Sequence, residues 1–363
     1  MSAACKPTPN TTMKPIAITL GDPAGIGPEI ITKAFRDAPQ VLQNCFVAGD
    51  LATLRRAAQF TSVPGQPAMP VALMASLDQL PSVPPRCIPL LQVTQQLEPI
   101  ALGRVSSLAG QAAAQCVQWA ARAALRGKLA AMVTAPLNKE SLAAAGVPFP
   151  GHTELLQHEA AQFAGVLTSD LPVRMMLANE ELRVVLVSVH LSLRDAMNAV
   201  SFDNVLQTLR IAHQSLGVIL DRTPCIAVAG LNPHAGEGGL FGREELDIIA
   251  PAVAAARSEG IDACGPYAPD TVFMRARDRA GQRSEIDAVV AMYHDQGLIP
   301  VKYLGVEQGV NVTLGLQGNT PSPWRLVRTS PDHGTAFDIV GTGTADASSL
   351  IAAVAMAKRM VEI

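Results

Sequence analysis

Aromatic residues are scarce in this chain, only 4% of its 363 positions. The interior must therefore be filled by Ala, Val, Leu and Ile rather than by rings, a make-up that suits helices packed on a buried parallel sheet. Charge is sparse too, at 16% against 48% hydrophobic residues, with a net charge of −3 and no cluster of Lys or Arg. That balance argues against a nucleic-acid groove or an anionic membrane surface as partner and points to a small molecule. No stretch reaches the roughly 18 uncharged apolar residues of a membrane-spanning helix. The six cysteines (Cys5, Cys45, Cys87, Cys116, Cys225, Cys264) never fall at CxxC spacing, so they read as free thiols of a reducing compartment rather than a disulfide framework. The opening MSAACKPTPNTTMKP has neither the apolar run of a secretory signal nor the arginines of a transit peptide. Residues 1–13 are expected to form a frayed tail and the protein to be cytoplasmic.

What the chain does have is alternation. Short apolar, β-branched runs (IAITL at 16–20, CFVAGD at 45–50, LAAMVTA at 129–135) are separated by longer Ala/Leu-rich stretches. Arg104 to Gly127 and Arg243 to Gly260 carry apolar residues at helical spacing and stop at a glycine, as sheet-covering helices do. The pattern predicts βαβ units and a mainly parallel sheet, and the length favours two lobes around a cleft. The proline-rich stretch from about 60 to 103 predicts irregular connections and short edge strands. QGNTPSPWR, Gln317 to Arg325, reads as a surface loop.

Three more strand-like runs end in histidine: RVVLVSV before His190, CIAVAGLNP before His234 and DAVVAMY before His294. Alone, each would read as an ordinary hydrogen-bonding residue. Parallel α/β sheets gather their chemistry at strand carboxyl ends, so three imidazoles in equivalent positions point to a metal site with one coordination position open, as catalytic sites keep. Ser188 and Arg194, Asn232 and Glu237, and Asp295 and Gln296 are the polar neighbours expected to orient the rings.

GDPAGIGPE, Gly21 to Glu29, lies between a strand and a helical stretch, where backbone amides can hold an anion. It is neither GxGxxG nor a P-loop, and a plain strand-to-helix turn explains it equally well. His152 and Thr153 of GHTELL stand at a probable helix start; Thr153 is either an N-cap or, with His152, a polar clamp for phosphate or carboxylate. Lys302 lies in an apolar stretch and would need an anionic partner if buried. The run from His333 to Asp346, rich in Gly, Thr and Asp, reads as a binding loop.

Together GDPAGIGPE, VTAPLNKE, GHTELL, VHLSLRDA, GLNPHAGEGG, APDTVF, MYHDQGL, GVNVTLGL and RTSPDHGTAFDIVGTGTAD closely resemble the 4-hydroxythreonine-4-phosphate dehydrogenase family over residues 14–363. The resemblance implies that His190, His234 and His294 bind a divalent metal, and that His152, Thr153, Lys302, Asn311 and Arg328 contact a phosphorylated substrate. It implies oxidation of the C3 hydroxyl of 4-phosphooxy-L-threonine by a nicotinamide cofactor, then loss of carbon dioxide from the β-keto acid, within pyridoxal phosphate biosynthesis. The metal would stabilise charge in both steps; zinc is expected, with cobalt, nickel or magnesium as alternatives. A related four-carbon substrate, 4-phospho-threonate or 4-phospho-erythronate, would use the same residues.

GDPAGIGPE and HGTAFDIVGTG also look like segments of isopropylmalate dehydrogenase. That wider kinship implies an α/β fold of two α/β/α lobes, residues 14–138 plus 305–363 and residues 139–304, with a non-Rossmann cofactor site at Gly334, Thr335 and Asp338. Asp338 would accept the adenosine ribose hydroxyls and repel a 2′-phosphate, favouring NAD. The kinship implies a homodimer with active sites near the interface. Lys302, a metal-bound water or a carboxylate such as Asp295 is the candidate general base. QGNTPSPWR departs from the family pattern near Arg328, as a surface bulge or as a change in the pocket.

Overall fold

The structure, a computed structural model, describes residues 13–279, 282–305, 308–320 and 322–361; all but the last residue of the expected tail lies outside them. Along the chain, β1 (Ile16–Thr19), α1 (Gly27–Asp37), β2 (Cys45–Gly49), α2 (Leu51–Phe60), β3 (Val71–Met74), β4 (Ile88–Gln92), α3 (Ser107–Leu125) and β5 (Ala131–Thr134) come first. Then follow α4 (Lys139–Ala144), α5 (His152–Ala164), β6 (Arg174–Ala178), β7 (Arg183–Leu186), α6 (Leu193–Ala199), α7 (Phe202–Leu220), β8 (Ile226–Ala229) and α8 (Ala250–Ser258). Next are β9 (Ala263–Tyr267), α9 (Val272–Ala276), β10 (Ala288–Ala291) and α10 (His294–Tyr303). The last segment holds β11 (Val310–Leu314), β12 (Gln317–Gly318), β13 (Trp324–Arg325), β14 (Arg328–Pro331) and α11 (Ser348–Arg359).

Twelve strands form one sheet in the order β3-β4-β2-β1-β5-β14-β11-β6-β7-β10-β8-β9. The strands read as unbroken apolar runs because both faces are covered. Ile16, Ile18, Val133, Val185, Val228 and Val290 face α1, α7, α8 and α11. The alternate residues divide: Ala17, Phe46 and Met132 pack on α3 and α5, while Val184, Ala227 and Val289 pack on α9 and α10. This is an α/β/α sandwich, with the proline-rich stretch supplying β3 and β4 at one edge as expected.

The sheet is mainly parallel, as the alternation predicts, and its antiparallel pairs gather at one seam. Two parallel blocks, β3-β4-β2-β1-β5-β14 and β7-β10-β8-β9, are joined through β11 and β6, and each of the three junctions at the seam is antiparallel. Three reversals leave the two blocks running in opposite directions, so their carboxyl ends also point opposite ways. Residues 14–138 and 305–363 supply every strand on one side of the β11–β6 junction, and residues 139–304 every strand on the other. However, α4 and α5 pack against α3, so the chain crosses to the second side after residue 164 rather than after 138.

The Gln317–Arg325 segment is a small hairpin, β12 against β13, rather than a simple loop. Trp324 is buried against Phe163 with ring centroids 5.9 Å apart, and its indole N–H donates to the Thr320 carbonyl at 2.9 Å. A ring that large stabilises by burial, which anchors the hairpin to α5.

At Gly110, α3 lies so close to α4 that an added Cβ would collide with the Ser141 carbonyl. Gly110→Ala is therefore expected to destabilise by about 1–3 kcal/mol or more, read as a lower Tm in thermal denaturation; an unchanged Tm would show that α4 can move away freely.

Candidate active site

At the seam lies a cavity of about 550 Å³ lined by residues from both halves. The end of β5 and the loop after it bring Thr134 and Pro136, and the start of α4 brings Lys139; the start of α5 brings His152, Thr153 and Glu154; β11 and β14 bring Asn311, Arg328 and Ser330. His190, from the loop after β7, and Asp332, His333 and Gly334, after β14, complete the wall. Four of the five residues expected to contact substrate thus share one cavity.

Arg328 is its centre. The residue is only 3% exposed, and its guanidinium donates to Thr134 Oγ1 from Nε at 3.1 Å and from Nη2 at 2.8 Å, and to Thr313 Oγ1 from Nη1 at 3.2 Å. All of these acceptors are neutral, and among the described residues no carboxylate forms an ion pair with it. Burial pushes its pKa down to about 10. A buried cation with donors to spare is costly unless an anion arrives. Sequence reasoning missed Thr134 and Thr313 because a strand threonine normally reads as β-propensity.

His152 and Thr153 open α5, but the cap position belongs to Gly151, so Thr153 sits inside the first turn rather than at the N-cap. His152 Nε2 is buried and makes no hydrogen bond. Burial, and then the Arg328 charge, hold this imidazole well below its usual pKa, so it is neutral. An imidazole, a hydroxyl, a guanidinium and a helix N-terminus together offer the chemistry that suits an anion such as phosphate.

Lys302 does not line the cavity. It lies on α10, is exposed rather than buried, and reaches Asp332 Oδ2 at 2.8 Å. Asp295 is also engaged: its Oδ1 is 2.6 Å from His294 Nδ1, which orients that ring and leaves Nε2 outward. Arg194 and Glu237, expected to orient rings, are exposed.

The three histidines are not brought together in one chain. His190 and His294 face each other with ring centroids 5.9 Å apart, a spacing that two imidazoles sharing one ion would adopt. Burial, then Lys139 and His294, lowers the His190 pKa and favours the neutral ring that binds metals. His234 instead lies beside Phe241, 6.2 Å between centroids, and among the described residues no three His, Cys, Asp or Glu side chains form a group able to hold a metal. Two of the three predicted ligands therefore fit a shared ion, and the third needs a further contribution.

GDPAGIGPE and the loop after β14 pack as a single unit. Ile26 N–H donates to the Thr335 carbonyl at 3.0 Å, and a Cβ at Gly25 would lie 2.8 Å from Thr335 Cβ. The buried Glu29 carboxylate accepts the N–H groups of Gly341 at 2.5 Å and Gly343 at 3.1 Å. Gly334 lines the cavity with open space above it, and Asp338 is exposed.

A family model described as pyridoxal phosphate biosynthetic protein PdxA matches residues 41–357. The chain belongs to this PdxA family. It is 47% identical over 350 residues, 95% of each chain, to 4-hydroxythreonine-4-phosphate dehydrogenase of Beijerinckia indica. It is 42% identical over 353 residues to D-threonate 4-phosphate dehydrogenase of Salmonella typhimurium, covering 96% of this chain and 99% of that one. The crystal structure of 4-hydroxythreonine-4-phosphate dehydrogenase from Klebsiella pneumoniae superposes with a TM-score of 0.82 at 39% identity, covering 98% of this chain and all of that one. The PdxA chain is a dehydrogenase acting on a CH–OH group.

Two outcomes follow for the cavity. Arg328→Met is expected to cost inorganic phosphate about 2 kcal/mol of binding or more, roughly 30-fold in affinity by isothermal titration. Because it removes an uncompensated buried charge, the Tm should hold or rise; a large fall in Tm would mean that Arg328 is mainly a structural tie. The depressed His152 pKa has a defined sign: below about 6.5 the unfolded chain takes up a proton that the folded one refuses, so stability is lost as pH falls. The decline in Tm from pH 7 to pH 5 should be shallower in His152→Gln, and parallel curves would exclude the neutral imidazole as the cause.

Proposed function

We propose that the chain oxidises the C3 hydroxyl of 4-phosphooxy-L-threonine with NAD and a divalent metal, giving a β-keto acid that decarboxylates to 3-amino-2-oxopropyl phosphate on the route to pyridoxal phosphate. The observation that carries this reading is the buried Arg328 without a carboxylate partner, facing the bare His152 Nε2 across a cavity large enough for a small phosphorylated acid. Arg328, His152, Thr153 and the first turn of α5 bind the phosphate, and Asn311 adds a polar contact. Phosphate held at one end fixes the distance at which the hydroxyl meets His190 and His294.

When bound, a divalent ion supplies Lewis acidity toward a substrate oxygen and nicotinamide supplies the hydride acceptor. Zinc suits the imidazoles best; cobalt, nickel or magnesium are the alternatives. The Lys302–Asp332 pair at the cavity wall is our choice for receiving the hydroxyl proton, since Asp295 is committed to His294. Gly334, Thr335 and Asp338 form the cofactor side, with the exposed Asp338 reading the ribose of NAD.

A homodimer is part of the same reading. Leu191 (51% exposed), Leu193 (61%), Leu240 (73%) and Phe241 (49%) lie on the loops that bear or follow His190 and His234. A second copy covering these residues would bury them and supply the histidine that one chain leaves apart. Among the described residues no helix is long and apolar enough to cross a membrane. A soluble cytoplasmic enzyme is in keeping with that.

The alternative substrate is 4-phospho-threonate or 4-phospho-erythronate, favoured by the D-threonate 4-phosphate dehydrogenase relative; it differs at C2, hydroxyl in place of amino. NADH formation with each purified substrate separates the two, and turnover of the non-amino acids alone would sink the first. In the same assay Asp338→Lys should raise the KM for NAD about tenfold or more (~1.4 kcal/mol of lost interaction) while sparing NADP. Equal losses would show that Asp338 does not read the ribose.

A further inference from the structure

His190, His234 and His294 stand on loops after β7, β8 and β10, which are neighbours in the sheet order β7-β10-β8. Two side chains that touch no imidazole join these loops. Ser188, two residues before His190, donates its hydroxyl to the Met292 carbonyl at 2.9 Å. Gln296, two residues after His294, accepts the Met292 N–H on Oε1 at 2.7 Å and donates from Nε2 to the Gly230 carbonyl, also at 2.7 Å. Gly230 begins the loop that carries His234.

The far side of that loop is held as firmly. The buried Glu245 carboxylate accepts the N–H groups of Leu231 and Asn232, each at 2.7 Å, and the Asn232 amide at 3.0 Å. A Cβ at Gly230 or Gly236 would lie 3.0 or 2.7 Å from Glu245 oxygens, so the backbone has one path. Between these anchors, His234, Ala235, Gly236, Glu237 and Gly238 all have positive φ. Non-glycine residues hold such a conformation only where surrounding bonds over-determine it, at roughly 1–3 kcal/mol each.

We propose that Gln296 is a positioning residue for the metal centre, fixing the His234 loop relative to the loop that bears His294. The role needs an amide, which offers one acceptor and one donor from the same short group. Methionine, of similar size, offers neither function. Glutamate keeps the acceptor for Met292 and sets a carboxylate against the Gly230 carbonyl. Because the link is to backbone, it places the loop whether His234 serves its own chain or a second copy. The proposal rests on the three-histidine reading of the metal site.

The test is titration of metal-free, full-length protein with Co²⁺ alone, reading affinity by calorimetry and ligand geometry by the visible absorption of the bound ion. Gln296→Met and Gln296→Glu should each lose about 10–100-fold in affinity and show an altered Co²⁺ spectrum, with the metal-free protein still folding cooperatively at a lowered Tm, since backbone groups lose their partners. The Glu variant is the sharper one, because its added negative charge would by itself strengthen cation binding, so a fall can come only from the broken Gly230 link. Wild-type affinity and spectrum in either variant overturns the proposal. His234→Ala is the control: if it binds Co²⁺ like wild type, the three-histidine reading fails and the proposal with it. If His234→Ala loses the ion while the Gln296 variants keep it, only the positioning role is lost.

Discussion

One charge organises the centre of this molecule: the Arg328 guanidinium, buried and held by neutral hydroxyls alone. Its bonds to Thr134 and Thr313 tie β14 to its two neighbours, β5 and β11, at the place where strand direction begins to reverse. Taking a cation out of water costs several kcal/mol even after local relaxation. The wide, two-sided apolar sheet around it supplies the stability that tolerates this cost. Burial, and then the same charge, lower the His152 pKa, so Arg328 adds to the preference of the ring near it for the uncharged form as well as giving the cavity its appetite for an anion.

The seam also explains how much could be read from sequence. Strands and covering helices were legible because burial on both faces leaves unbroken apolar runs, and Ser107–Leu125 falls inside the stretch marked by helical spacing and a terminal glycine. Strand direction was not legible, since an apolar run looks the same in either orientation. The rule that strand carboxyl ends converge led toward three gathered histidines. All three do follow strands of one parallel block, but what each loop does beyond its strand carries no signal, and His234 lies in a turn of positive φ beside Phe241 while His190 reaches His294 and the Arg328 cavity. His152 and Thr153 showed in the residues as a possible polar clamp at a helix start, and motif resemblance gave them, with Asn311 and Arg328, a substrate role. Their partners Thr134 and Thr313 carried no signal of their own, because a hydroxyl on a strand acquires meaning only when a guanidinium is placed against it. Asp332 was hidden in the same way until Lys302 was seen to reach it.

GDPAGIGPE shows a similar gap between motif and role. Its glycines suggest amides free to hold an anion. In the fold they serve close approach: Gly25 lets the chain meet Thr335, and Glu29 collects the amides of Gly341 and Gly343. The first loop thus acts as a template for the second, whose open residue, Gly334, borders the cavity. This explains why two segments more than 300 residues apart can both be glycine-rich without either matching a dinucleotide fingerprint.

On the proposed reading, substrate length would be set by the frame rather than by any one contact. Arg328, on a strand in the middle of the sheet, would fix the phosphate end, while the histidines stand on loops tied to one another by Ser188 and Gln296. Arg328 is held by the hydroxyls of two neighbouring strands and the histidine loops by side chains bonded to backbone, so neither set can follow a substrate of different length without breaking hydrogen bonds. A change at C2 leaves that distance intact, which is why amino and hydroxy acids of four carbons are both compatible with the frame. Under the same reading, discrimination between them would fall to a polar group beside the C2 substituent rather than to the groups that hold the phosphate.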